Sequence, residues 1–363
     1  MSDYQMSLFH VITNWFTLYD AYSCPGNETL KVFKRPLLGG YFLASGVVLI
    51  TLYIPCFVVM LKSKSPRPPI FHIMMVLAVF DMISLFVNSV TTGVFDLLGV
   101  TFCHFPLFIY ITGSIGTGSW MGGCAACILL AVDRCVESNA KFCLAFLFHK
   151  WKFRIVMVIV LSYWAYSCLF TKPLLFTAEF SSWFFDPKIG NDPAIYHSVA
   201  HTMNNLVVSA TTTLLYIYLC VHLAVKNTYT SSMWACRSKN QIILQAVILC
   251  SFHAAAAYIY VYMQFFYSPP ALILLGQLSW QWSNGCFCVV YLTLNRTIRN
   301  SVLQILLSKK FRETHGLYLA PDEKTGTFAC SFVDLQDEVV DSERNIRNAV
   351  AVSGCSNGPW STL

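Results

Sequence analysis

Apolar side chains gather in seven long runs: Leu37 to Leu61, Ile70 to Leu98, Phe105 to Val132, Ile155 to about Thr177, Ser198 to Val225, Ile242 to Phe266 and Ala271 to Leu294. Each reaches the roughly 20 residues that a helix needs to cross a bilayer. Polar links separate them and carry helix-stopping residues: Lys62, Pro66, Pro68 and Pro69 follow the first run, and Ser268-Pro269-Pro270 joins the last two. The pattern predicts an all-α membrane protein built as a seven-transmembrane-helix bundle, with the chain ends on opposite sides. Composition agrees, since 56% of the residues are hydrophobic and only 12% charged, against about a quarter charged in soluble domains.

The net charge of +6 matters through its distribution between the runs. Lys62, Lys64, Arg67, Lys141, Lys150, Lys152, Arg154, Lys226, Arg237, Lys239, Arg296, Arg299, Lys309, Lys310 and Arg312 fall on one side, and only Lys31, Lys34, Arg35, Lys172 and Lys188 on the other. Cytoplasmic links hold the excess of Lys and Arg, so the N-terminus is expected outside and the C-terminus inside. Nothing before the first run reads as a secretory signal, which leaves that run to carry the N-terminus across. Residues 1–36 then form an extracellular segment with an N-glycosylation pattern at Asn27, and 37–295 form the bundle. Residues 296–313 alternate apolar and basic positions at helical spacing, as an amphipathic helix on inner-leaflet lipid would. Residues 314–363 are acidic, lack periodicity and read as a flexible tail.

Polar residues in a spanning helix are tolerated where they face protein or water, so their spacing marks the inward face. In the seventh run Gln277, Gln281, Asn284, Cys288, Tyr291 and Asn295 form one stripe. His197, His201 and Asn204, then His253, Tyr260 and Gln264, mark the fifth and sixth; Asp81, Ser84, Asn88 and Thr91 mark the second, and Tyr110, Ser114 and Thr117 the third. Such groups serve as interhelical hydrogen bonds. Their concentration in the outer halves also suggests a cavity open to the outside, lined by Asn88, Tyr110, Ser114, Thr117, His197, His201, Asn204, Tyr260, Gln264, Gln277 and Gln281. The outer half of the third run, Gly113 to Met121, has no acid, so a neutral or weakly polar small ligand is expected rather than an amine.

The third run ends in Asp133-Arg134-Cys135, and the second contains Leu77-Ala78-x-x-Asp81. These resemble the Asp/Glu-Arg-Tyr and Leu-Ala-x-x-Asp motifs of rhodopsin-like seven-helix receptors. The seventh-helix Asn-Pro-x-x-Tyr is reduced to Phe287-Cys288-x-x-Tyr291, and the sixth run lacks a proline. Tyr22-x-Cys24, Leu52-Tyr53-Ile54-Pro55, the stretch from Phe102 to Gly113, Asp-Arg-Cys and Trp183-Phe184-Phe185-Asp186-Pro187 are more similar to the nematode serpentine chemoreceptors, class T above all, over residues 20–310. The resemblance implies a chemosensory G-protein-coupled receptor in the plasma membrane, multi-pass, with sensory cilia as the location. Asp133 would restrain Arg134 until activation, with Asp81 and Tyr291 in the switch. Lys150, Lys152, Arg237 and Lys239 would offer a positive surface to a heterotrimeric G protein.

Of the fifteen cysteines, only Cys24 and Cys103 lie clearly outside, which makes them the expected disulfide. Cys124-x-x-Cys127 sits in an apolar helix and reads as packing. His197 and His201 have the spacing of metal ligands but lack the His-Glu-x-x-His form and a third ligand, so no metal or other cofactor is expected. No clustered nucleophile and base suggests an enzyme, and nothing suggests a nucleic-acid partner. A transporter or channel is the alternative use of a polar interior, but the halves do not repeat. Ser361-Thr362-Leu363 matches the carboxyl terminus bound by PDZ domains.

Overall fold

Proline opens several of the helices, because its fixed φ suits the first turn and its missing N–H has no partner there in any case. The structure, a computed structural model, describes residues 3–25, 31–62, 69–227 and 233–317, without the side chains of 3, 223, 224, 226, 227, 233–243, 245, 246, 249 and 250. After a short helix α1 (Leu8–Thr13) come α2 (Pro36–Lys62), α3 (Pro69–Leu98), α4 (Pro106–Ser138) and α5 (Lys150–Phe170). A hairpin of β1 (Leu175–Thr177) and β2 (Ser182–Phe184) precedes α6 (Val199–Asn227), α7 (Met233–Phe265) and α8 (Pro270–Thr293). Two short helices follow, α9 (Arg296–Leu306) and α10 (Lys309–Thr314).

Helices α2 to α6 are long and apolar enough to cross a membrane, while α7 and α8 have the length, at 33 and 24 residues. The amides and indoles of α8 lower its hydropathy because they face inward: Gln277, Trp280, Gln281 and Asn284 are all buried. α4 is the central helix, packed against α3, α5 and α6. The buried apolar residues form an inner cluster around Tyr53, Leu77, Leu130, Phe287 and Tyr291 and an outer one around Tyr110, Trp120, Phe176 and Trp280. Met6, Leu8, Val11 and Tyr22 of the N-terminal segment belong to the outer cluster.

Two boundaries differ from the expectation. The fourth run was expected to span to about Thr177, yet α5 ends at Phe170. Thr171 is extended (φ −104°, ψ 162°), and Pro173 disfavours helix at the residue before it. The released chain turns into the hairpin, paired antiparallel with Leu175 opposite Phe184 and Thr177 opposite Ser182. Apolar content alone cannot tell this buried strand from the end of a helix. The amphipathic stretch 296–313 is likewise two helices, because the Ser308 hydroxyl accepts from the Phe311 N–H (3.3 Å) and starts a new one.

By its contacts the chain divides into two units, Met1–Leu61 with Arg67–Val302 and Lys62–Pro66 with Leu303–Leu363. The first holds the long helices and the hairpin. The second includes, among its described residues, α10, where Lys309 Nζ lies 3.8 Å from Glu313 Oε1.

The hairpin is held onto the bundle by backbone contact. The Ala178 N–H donates to Val100 O (3.0 Å), and Thr117 Oγ1 accepts from the Leu174 N–H (3.2 Å). A Cβ added at Gly113 would sit 1.6 Å from the Leu174 carbonyl oxygen. Since the obstacle is backbone, Gly113→Ala is expected to push the hairpin off α4 and destabilise the fold by about 1–3 kcal/mol, read as a lower thermal unfolding temperature. Gly40→Ala, with open space around its Cβ position, serves as the control.

Candidate functional site

A cavity of about 490 Å³ lies under the hairpin. The hairpin and the loop after it contribute Phe180, Trp183, Phe184, Phe185, Asp186 and Lys188 to the lining. Tyr196 and His197 before α6, His201 on α6, Tyr260, Met263 and Gln264 on α7, and Ile273 on α8 form the walls. Trp120 of α4 and Trp280 of α8, both mid-helix, close the inner end. Such a lining, largely aromatic with a few polar groups, suits a small organic molecule.

The cavity walls are fixed by buried polar contacts. Trp120 Nε1 donates to Asn205 Oδ1 (2.9 Å), and Asn205 Nδ2 lies 3.4 Å from His201 Nδ1. The Lys172 ammonium donates to the carbonyls of Ile195 (3.0 Å) and His197 (2.9 Å), which holds the turn bearing Tyr196 and His197 against the end of α5. Lys188 Nζ lies 3.2 Å from Asp186 Oδ2, and Asp186 Oδ1 accepts from the Lys188 N–H (2.8 Å). The outer half of α4 supplies no acid, but the loop does, and its charge is balanced by its own lysine.

Of the sequence-predicted lining residues, His197, His201, Tyr260 and Gln264 line the cavity. The other seven are not in the lining and make contacts within and between the elements instead. Gln277 Nε2 donates to Asn88 O (2.8 Å), and Gln281 Nε2 donates to Ser45 Oγ (2.7 Å) and Ser89 Oγ (3.0 Å). Asn88 Nδ2 reaches Trp280 O at 3.4 Å, and Asn204 Oδ1 accepts from Tyr163 Oη (3.0 Å). The Ser114 and Thr117 hydroxyls donate to carbonyls one turn back, Tyr110 O and Gly113 O, both at 2.9 Å. Tyr110 packs edge-on against Tyr22, ring centroids 5.1 Å apart. A polar stripe identifies the inward face but not which inward residues meet empty space. The indoles and phenyls that do so carried no polar signal, apart from the Trp183-to-Pro187 motif.

Aromatic contacts lead from the cavity toward the inner cluster. The Trp120 ring is stacked parallel to His253 (5.6 Å, 2°), His253 meets Phe287 edge-on (5.7 Å), and Phe287 contacts Tyr291 (6.1 Å). Asp81 is buried in the same region and accepts from Tyr53 Oη on α2 (2.5 Å).

At the inner end of α4 the buried Arg134 is held by two acids: Nη2 by Asp133 and Nη1 by Glu137, one helical turn on. Glu137, which sequence reasoning passed over, stands at the i+3 spacing that brings side chains together on a helix. Nearby, Cys135 Sγ contacts Leu215 O (3.6 Å), and Asn139 Nδ2 donates to Tyr218 Oη (2.9 Å), so α4 is tied to α6 at this level. Lys150 opens α5, and Lys152 Nζ lies over the Phe146 and Trp151 rings at 5.1 and 5.8 Å. The side chains of Arg237 and Lys239, the Asn27 sequon and the C-terminal Ser361-Thr362-Leu363 lie outside the described residues.

Cys24 and Cys103 are joined in a disulfide, Cα atoms 5.8 Å apart, which ties the N-terminal segment to the turn before α4. Among the described residues no three His, Cys, Asp or Glu side chains are grouped to hold a metal ion.

The crystal structure of squid rhodopsin is similar in fold to this chain, with a TM-score of 0.51 at 12% sequence identity over 85% of this chain and 97% of that one. Serpentine receptor class T-55 of Caenorhabditis elegans is 24% identical over 297 residues, which are 78% of this chain and 80% of that protein. The family model described as the serpentine type 7TM GPCR chemoreceptor Srt matches residues 6–315. A rhodopsin-like bundle, an arginine clamped by acids at the inner end of its central helix and a family match over nearly the whole length agree: the chain belongs to the Srt family of serpentine seven-transmembrane chemoreceptors.

Proposed function

We propose that this chemosensory receptor binds a small, uncharged, flat organic molecule from the outside, in the cavity beneath the hairpin, and signals to a heterotrimeric G protein inside. The cavity lining carries the reading. Aromatic rings favour a compact apolar or aromatic body, His197, His201, Tyr260 and Gln264 offer hydrogen bonds, and the one acid is already balanced by Lys188. A protonated amine would have to compete with that lysine.

Ligand contact with Trp120 would be passed through His253 and Phe287 to Tyr291 and the region of Asp81, loosening the hold of Asp133 and Glu137 on Arg134. Freed, Arg134 meets the G protein, with Lys150, Lys152, Arg237 and Lys239 as the surrounding positive surface. Residues 1–36 stand outside, 37–295 transmit, 296–313 rest on inner-leaflet lipid, and 314–363 form a cytoplasmic tail whose end fits a PDZ domain. The receptor acts in the plasma membrane of sensory cilia, glycosylated at Asn27, without cofactor or catalytic step.

In vesicles containing the receptor, a cue found by screening volatile and water-soluble molecules is expected to raise guanine-nucleotide exchange on added heterotrimer without itself crossing the membrane. Cue flux without exchange would instead make the cavity a transport path.

A further inference from the structure

We propose that the N-terminal segment carries an outer-leaflet anchor, in which Trp15 and Phe16 insert into the headgroup region of zwitterionic phospholipid beside the outer end of α5. On α1, Leu8 and Val11 are buried in the outer core, while Ile12 points away from it. The next turn presents Trp15 and Phe16 with 92% and 54% of their surfaces exposed. Both have left-handed backbones, φ 54° and 58°, a conformation that costs a residue other than glycine about 1–2 kcal/mol. Two consecutive aromatics are therefore held in an unfavourable conformation that turns them out of the fold. Water offers no compensation, whereas the membrane interface does, since Trp is enriched where an apolar ring can lie at headgroup level.

The position of α1 supports lipid as the occupant. Phe9, one turn before Ile12, stacks on Phe170 at the outer end of α5 (4.9 Å, 28°), and Phe170 stacks on Tyr166 (5.8 Å). Tyr166 is exposed on the flank of α5 that also presents Val158 and Ile159, the surface that faces lipid in a spanning helix. The exposed turn thus continues an aromatic belt at the outer membrane boundary. Charge selects the lipid class: residues 3–25 contain Asp3 and Asp20 and no Lys or Arg, while the basic stretch Lys31 to Arg35 pairs with the end of α3 rather than standing beside α5. Nothing at the turn therefore attracts an anionic headgroup, and a neutral zwitterionic one suffices. The far end of the same segment braces the cavity, because the Ala21 carbonyl accepts from Tyr196 Oη and from Asn191 Nδ2 (3.1 Å). The anchor therefore fixes in the membrane a segment whose other end supports a cavity wall.

The test uses the full chain, one copy per phosphatidylcholine nanodisc, with bromine placed near the top of the lipid acyl chains. The emission of wild type minus that of Trp15→Phe isolates Trp15 from the other tryptophans. That difference is expected to fall by about half or more in brominated discs and to resist aqueous iodide. If Trp15→Phe does not fold, Trp15→Tyr gives the same subtraction. Phe16→Ser, which leaves Trp15 in place, is expected to weaken the quenching. Emission untouched by brominated lipid and quenched by iodide would place Trp15 in water, or on a surface kept for a protein partner, and would overturn the anchor.

Discussion

Arg134→Ala is expected to abolish cue-stimulated nucleotide exchange, while cue binding survives and the fold is retained. Among the described residues Arg134 makes both of its ion pairs on its own helix, so its loss breaks no ion pair between helices there. The acids should act in the opposite direction, and their exposures rank them. The Asp133 side chain is 13% exposed and Glu137 54%. A charge-assisted hydrogen bond of about 1.5–3 kcal/mol, lost at the sheltered Asp133, would shift the inactive-to-active balance by roughly ten- to a hundredfold. At the solvated Glu137 the loss is nearer 0.2–1 kcal/mol, at most about fivefold. Asp133→Asn should therefore raise basal exchange strongly, Glu137→Gln modestly and the double variant most. Basal exchange unchanged in Asp133→Asn would remove the clamp from the mechanism.

Gln264→Trp is expected to have the second large effect. Gln264 lines the cavity from α7 and is only partly buried, so the larger indole can turn into the cavity at little cost to the helix. Filling that space should weaken the cue by about tenfold or more, equivalent to roughly 1.4 kcal/mol, and leave basal exchange as in wild type. Gln281→Ala is the contrast. Gln281 also lies on an inward face, but its amide bonds Ser45 and Ser89, away from the cavity. Its loss should lower stability and leave the cue's potency nearly unchanged. Potency governed by Gln281 rather than Gln264 would put the ligand elsewhere in the bundle.

These two glutamines illustrate how far the residues alone could be read. Helix count, direction and inward faces follow from periodicity and from the placement of Lys and Arg, each of which sums over many residues and tolerates single exceptions. The partnership of Cys24 with Cys103 is legible for a similar reason, since topology leaves only these two clearly outside, whereas the restraint of Arg134 by Asp133 rests on the resemblance to rhodopsin-like receptors. Cavity lining is a different kind of property. Whether an inward side chain meets a neighbour or a void depends on the rotation and spacing of two helices at once, and spacing along one chain does not encode it. Gln277 found Asn88 and Thr92 across the α3–α8 contact, whereas Gln264 found open space. The hairpin is hidden in the sequence because Leu174-Leu175-Phe176 is apolar and prolongs the fourth run past Lys172 and Pro173. Pro173 and the charge of Lys172, which donates to the Ile195 and His197 carbonyls, mark the end of the helix there.

The central claim is that a ligand held in the outer cavity drives exchange at the inner face, and sidedness tests it most directly. Receptor vesicles are prepared with their extracellular face outward and heterotrimer with labelled nucleotide trapped inside, and the cue is added to one side at a time. The account predicts that cue outside stimulates exchange at once, that Gln264→Trp shifts this response by about tenfold, and that a membrane-impermeant form of the cue works equally well. Stimulation only by cue trapped inside, or an external response that Gln264→Trp leaves untouched, would contradict it.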